Sequence, residues 1–115
     1  MRENAVTTEQ AQELVELLGY DFGLMVPNVD QTIDYLRKMY NIVIYNKMAP
    51  YVEPVSHRII YCFSVKWCNL RDGWNGRELI GNTDYTHDIY EAKRQAISIA
   101  LNYLKNKKYG KTQKV

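Results

Sequence analysis

Residues 88–105 read DIYEAKRQAISIALNYLK, the strongest helical pattern in the chain. Asp88 followed by Glu91 is a D-x-x-E form of the capping box. In that motif the first side chain accepts from the first turn and the second reaches back. Ala92, Ala96, Ile99, Ala100 and Tyr103 recur at helical spacing, and Ile97, Leu101 and Leu104 widen the stripe. Arg94, Gln95, Ser98, Asn102 and Lys105 take the opposite side. Small alanines let such a helix come close to whatever it covers. Lys93 falls by angle near the apolar side. Either its stem packs while its amine reaches water, or it presents a charge to an anion near the helix start.

A strand pattern precedes this helix, so the helix is predicted to lie across a sheet. From His57 to Leu70, Ile59, Tyr61, Phe63, Val65 and Trp67 alternate with Arg58, Cys62, Ser64 and Lys66, Ile60 being the exception. That period of two marks a half-buried antiparallel strand. Asp72-Gly73 and Asn75-Gly76 then signal a hairpin. A third strand begins over Arg77 to Ile80 and extends toward Tyr85 past Gly81. Upstream, Ile42 to Tyr45 is a short β-branched run, a first strand. Residues 47–56, holding Pro50 and Pro54, read as a loop.

Two helices come first. Thr7 with Gln10, or Thr8 one step on, offers an N-cap. Ala11, Leu14, Val15 and Leu18 form the stripe, Glu9, Glu13 and Glu16 the outer row, and Gly19 the stop. The connector from Tyr20 to Val26 is too apolar for a free linker and is expected to pin this helix to the rest. Asn28, with Gln31, caps a second helix from Val29 to about Met39, whose Val29, Ile33, Leu36 and Tyr40 share a face and which Asn41 ends. The expected fold is α+β. An N-terminal helix and connector (1–26) lead into an α-β-β-β-α two-layer sandwich with a three-stranded antiparallel sheet (27–105), and a basic tail without pattern (106–115) is expected to fray. One domain fits 115 residues.

The net charge of +2 hides an asymmetry. Residues 105–115 hold five lysines and no acid, which leaves the remainder at −3. Residues 3–36 hold seven acids and no Lys or Arg. No apolar run is long enough for a membrane span, and the polar, acidic start is unlike a secretory signal, so a cytoplasmic setting is expected. Cys62 and Cys68 lie too far apart along one strand to bond to each other, and reduced thiols are expected.

From the second helix onward the order α-β-β-β-α resembles the double-stranded RNA-binding domain. In that family the last helix opens with K-K-x-A-K. Here Ala92 and Lys93 match, while Ile89 and Tyr90 replace both leading lysines. The family's G-P-x-H loop is matched by Pro54 and His57 with one extra residue and by Glu53 in place of glycine. The resemblance implies phosphate contacts at Lys93. The lost lysines and the acidic body count against them, because phosphate binding needs several cations together. The chain also resembles small uncharacterised proteins of Bacteroides-type bacteria and their phages and mobile elements. That likeness rests on TTEQAQELVELLGYDF (residues 7–22), on Pro27, Gln31 and Leu36-Arg37, and on Tyr90-Glu91-Ala92. It implies a bacterial setting and no chemistry.

No phosphate-binding glycine loop, H-E-x-x-H or G-x-S-x-G motif is present. No zinc spacing links Cys62, Cys68, His57 and His87, and Cys62 and His57 point to opposite faces of an extended strand. No cofactor, metal or catalytic group is expected. The ten tyrosines stand out. They pack the sheet and scatter over the surface, or they form a contact surface. Three functions are weighed. The favoured one is a non-catalytic module that binds a protein partner or a second copy through aromatic groups, with Trp74 in the hairpin turn, Tyr61 and Trp67 as candidates and the sheet face away from the helices as the place. Nucleic-acid binding through Lys93, Arg94, Lys105, Lys107 and Lys108 is the alternative, and an enzyme with an unrecognised site is the third.

Overall fold

The computed structural model describes residues 3–47, 51–68 and 77–113, the last six by backbone alone. The elements are α1 (Thr8–Leu18), α2 (Val29–Tyr40), β1 (Ile42–Asn46), β2 (Tyr51–Val52), β3 (Ile59–Ile60), β4 (Phe63–Cys68), β5 (Arg77–Asn82) and α3 (Ile89–Gln113). The chain is α+β. β1, β4 and β5 form an antiparallel sheet in that order, and β2 and β3 a separate antiparallel pair.

The helix ends follow local chemistry. Thr7 Oγ1 accepts from Gln10 N while Gln10 Oε1 accepts from Thr7 N, and Asn28 and Gln31 repeat the arrangement at α2. Gly19 and Asn41 close these helices in the left-handed region, at φ 66° and 58°. At α3 only half of the box forms. Asp88 Oδ1 accepts from Tyr90 N and Glu91 N, but Asp88 N donates to Thr86 Oγ1 and Glu91 turns to Arg94. α3 does not stop at Lys105. It continues to Gln113, beyond the point where the apolar pattern ends.

α3 is the central element. Ala92, Ala96 and Ala100 are fully buried and pack with Leu36, Ile42, Phe63 and Val65, which joins α2, α3 and the sheet in one cluster. Ile97 and Leu101, a third of a turn around, pack with Leu14, Val6 and Val29 in a second. So α2 and α3 cover the sheet, and α1 lies against α3. Helix and sheet approach so closely at Gly81 that a Cβ there would sit 3.1 Å from Ile99 Cγ2.

Three expectations change. The single strand over 57–70 is instead one extended path that changes partners. Ile59–Ile60 pairs with β2, Tyr61 bridges Thr86, and Phe63–Cys68 pairs with β1 and β5. The alternation does not show this, because side-chain period is indifferent to which strand lies alongside. Second, part of the loop over 47–56 is strand β2. Third, Val15 is half exposed while Gln10 is buried, so a polar residue takes a place in the packed face of α1. The asparagine-glycine and aspartate-glycine turn signals lie outside the described residues.

Candidate functional site

The cations expected to reach nucleic acid begin at the start of α3. Lys93 Nζ lies 2.7 Å from Asp30 Oδ1 at the start of α2, and its side chain is 18% exposed. Arg94 Nη1 donates to the carbonyls of Glu3 and Ala5 at 2.8 and 3.0 Å, and its Nε lies 3.5 Å from Glu91. Both side chains tie elements of this chain together. Lys107 Nζ stands over two rings, 5.5 Å from the centre of Trp67 and 5.1 Å from that of Tyr103. The Tyr103 hydroxyl is buried with no hydrogen-bond partner among the described residues. Lys105 is exposed, and the Lys108 side chain lies outside the described set.

The aromatic candidates separate. Trp74 lies outside the described residues. Tyr61 packs against the α3 cluster, and Trp67 shares the strand face of buried Phe63 and Val65. Both therefore belong to the helix-covered side of the sheet, not to the side away from the helices. The open side carries other residues. Register aligns Val43, Lys66 and Leu79 in one row and Tyr45, Ser64 and Asn82 in the next. Ser64 Oγ donates to Asn82 Oδ1 at 2.7 Å, and Lys66 Nζ stands 5.4 Å from the centre of the Tyr45 ring.

Beyond that face lies a pocket of about 170 Å3 walled by Tyr51, Ile60, Cys62 and Tyr85. It exists because β2 and β3 leave the sheet before β4 begins. Tyr51 and Ile60 are register partners and so project from one side of the hairpin. Cys62 follows at the partner change, its Sγ donating to Thr83 O at 3.3 Å. The walls are apolar, with a thiol at one side and two exposed tyrosines. Lys47 stands beside the pocket, its N donating to Cys62 O at 2.8 Å. By sequence Tyr51 falls in the 47–56 loop and Tyr85 at the far end of the third strand. Nothing in the sequence showed that they meet.

A wider cleft of about 520 Å3 opens near the start of α3 between Arg58, Tyr61, His87 and Tyr90, with Glu3 and Asp88 at its wall. Two of its ionisable groups, His87 and Asp88, are engaged. His87 Nε2 lies 2.9 Å from Glu53 Oε1 and Nδ1 3.3 Å from Ile59 O, which ties the β2–β3 hairpin to the approach to α3. Asp88 caps the helix. Cys62 faces Thr83 and pairs with neither histidine, and both cysteines are free thiols. Among the described residues, no three His, Cys, Asp or Glu side chains are placed to hold a metal ion, and no helix is long and apolar enough to cross a membrane.

Among the described residues, two groups titrate away from their ordinary values, and both lie on α2. The hydrogen bond from Lys38, then that from Arg37, holds the Asp34 carboxyl below its usual range. Burial, then the hydrogen bond with Tyr40, pushes the Tyr35 phenol up to about 12. Tyr35 also stacks on Tyr20 at 4.0 Å between ring centres. This pins the start of the connector, as its apolar composition suggested. The expectation fails further on, where Leu24 and Met25 are exposed.

No family model, curated protein or solved structure matches the chain.

Proposed function

We propose that this chain is a small, non-catalytic module that binds protein through the tyrosine-walled pocket beside the β2–β3 hairpin. The size and lining of that pocket carry the reading. Its volume, about 170 Å3, is below the roughly 300–1,000 Å3 of small-molecule sites. It is close to the roughly 150 Å3 apolar cavity that holds one benzene. Such a space fits a single aliphatic or aromatic side chain of a partner. Tyr51 and Tyr85 supply stiff contact area around it, the role tyrosines play at interface hot spots. Around them Val52, Val55 and Ile59 are exposed on the same hairpin, which extends the apolar surface.

The alternative, double-stranded RNA at the start of α3, has less support. Its one matching cation, Lys93, is held by Asp30, and the neighbouring Arg94 by the Glu3 and Ala5 carbonyls, so releasing them would cost internal contacts.

The test is an NMR titration of the full chain with N-acetyl-leucinamide and, separately, with a mixed RNA duplex pool at low salt. Amide shifts centred on Tyr51, Ile60, Cys62 and Tyr85 with the first probe, and none at Lys93 with the second, are expected. Shifts confined to the α3 start with duplex RNA, abolished by Lys93→Glu, would replace this reading with the nucleic-acid one.

A further inference from the structure

We infer that His87 is a proton-operated clasp on the tyrosine-walled pocket: its doubly protonated ring holds the β2–β3 hairpin against the approach to α3, and loss of one proton loosens the hairpin and weakens binding there. This rests on the pocket being a protein-binding site and names its regulation. Both ring nitrogens of His87 face acceptors. Nε2 lies 2.9 Å from Glu53 Oε1, and Nδ1 lies 3.3 Å from the carbonyl oxygen of Ile59. A carboxylate and a carbonyl have no proton to give. A neutral imidazole carries one N–H and the imidazolium two, so the charged ring alone satisfies both contacts. When one proton leaves, the other stays with the stronger acceptor, the carboxylate, and a bare nitrogen is left against Ile59 O. Two lone pairs then repel, and one of the two ties from this ring to the hairpin is lost.

The hairpin depends on such ties. Its strands are two residues each, Tyr51–Val52 and Ile59–Ile60, and a two-stranded hairpin by itself is marginally stable in water. Tyr51 and Ile60 on it wall one side of the pocket, and Tyr85, two residues before His87, walls another. Beside the His87 contacts, Tyr61 N donates to Thr86 O at 2.7 Å and Thr86 N to Tyr61 O at 3.1 Å, joining the same two segments. These ties together set how Tyr85 stands against Tyr51 and Ile60. Among the described residues, the charged and titratable groups around the ring come from three places. Glu53 and Arg58 belong to the hairpin, Glu3 to the N-terminal segment, and Tyr61, Asp88 and Tyr90 to the strand and to the start of α3. Asp88 Oδ1 is taken by the amides of Tyr90 and Glu91, and Glu53 is the acid bonded to the ring.

The experiment is NMR on the full chain at about pH 5.5 and about pH 8, toward the two ends of the range in which histidines change charge. Imidazole nitrogen shifts read the His87 ring. Amide protection factors at Tyr61 and Thr86 read the hairpin, and N-acetyl-leucinamide, a probe without charge, reads the pocket. At the lower pH His87 is expected to carry both protons. At the higher pH, protection at both amides and affinity for the probe are expected to fall by about twofold to tenfold, the worth of one hydrogen bond. His87→Gln, checked for folding by circular dichroism, should remove both changes. Glu53→Gln takes the carboxylate from the other end of the contact and should lower protection mainly at the lower pH, where the ring is charged. His57→Asn, whose side chain tolerates the left-handed backbone at φ 57°, should leave both changes in place. Protection that does not change with pH, or a change that survives His87→Gln, would overturn the inference. Probe affinity equal at both pH values would overturn it too, and would leave the pocket a binding site without this regulation. Absence of probe binding at both pH values would remove the pocket reading and its regulation together, and the protection factors then judge the clasp by itself.

Discussion

Gln10 joins the cap of α1 to the middle of α3, and replacing it separates local from tertiary stability. The side chain is 5% exposed. Its Oε1 accepts from Thr7 N at 3.0 Å, and its Nε2 donates to Arg94 O at 2.6 Å and Ser98 Oγ at 2.7 Å. Gln10→Ala removes all three bonds. Each is worth roughly 0.5–1.5 kcal/mol net. Ser98 is exposed and regains water, whereas Thr7 N is left half buried without its acceptor. Alanine returns a few tenths of a kcal/mol in helix propensity. The expected loss is about 2–3 kcal/mol, a fall in melting temperature on the order of 10 °C for a domain this size. Gln10→Glu is the sharper variant. Glutamate is as good a capping-box partner as glutamine and suits the positive end of the helix dipole. Judged on α1 alone, it should cost nothing. In the fold it sets a carboxylate oxygen against Arg94 O with no proton to donate, and about 2 kcal/mol should be lost at neutral pH. Acid protonates the new carboxyl and restores a donor, so the deficit should shrink as pH falls through the carboxyl range. Urea unfolding followed by circular dichroism, at neutral and acidic pH, measures both variants. A Gln10→Glu protein within about 0.5 kcal/mol of wild type at neutral pH would refute the claim that this bridge stabilises the docking of α1.

Three further outcomes are expected. Ala96→Leu forces a larger side chain between α3 and the sheet and should cost roughly 1–3 kcal/mol by the same assay, whereas Asn102→Leu on the exposed side should change little. Arg94→Lys should expose the Ala5 and Val6 amides to hydrogen exchange, because a lysine Nζ stands one atom short of the Nη1 that bonds both carbonyls; Lys93→Ala, losing an ion pair whose Asp30 partner is 64% exposed, should cost about 1 kcal/mol or less. The Tyr35 phenol titrates higher in the folded chain, at about 12, than the ordinary 10.0 of a tyrosine, so the folded state holds its proton more tightly. The associated stability is complete below pH 10 and is lost as pH rises toward 12; Tyr35→Phe should flatten that part of the stability profile.

The candidate site was less legible than the fold, and particular residues show why. Lys93 and Arg94 were chosen as cations at a helix start, from spacing alone. Their partners, Asp30 and the carbonyls of Glu3 and Ala5, lie 63 to 91 residues away in sequence. Tyr61 and Trp67 were chosen from alternation, which sorts side chains into two faces without saying which face the helices cover. The pocket has no sequence signature, because its walls come from a hairpin, a change of strand partner and the approach to α3.

The sequence by itself determined the stop of α1 at Gly19, the start and stop of α2 at Asn28 and Asn41, the helical character of residues 89–105 and the antiparallel three-stranded sheet, and it narrowed the start of α1 to Thr7 or Thr8. Each of these rests on groups within about four residues of one another or on a side-chain period, and both are local properties of the chain. The tertiary structure alone decided that Gln10 is buried, that the strand changes partners at Tyr61, that Leu24 is left outside and that Tyr51, Ile60, Cys62 and Tyr85 enclose a pocket. Those depend on which surfaces compete for a limited buried space, and the helix-covered face of the sheet and α3 had already filled it.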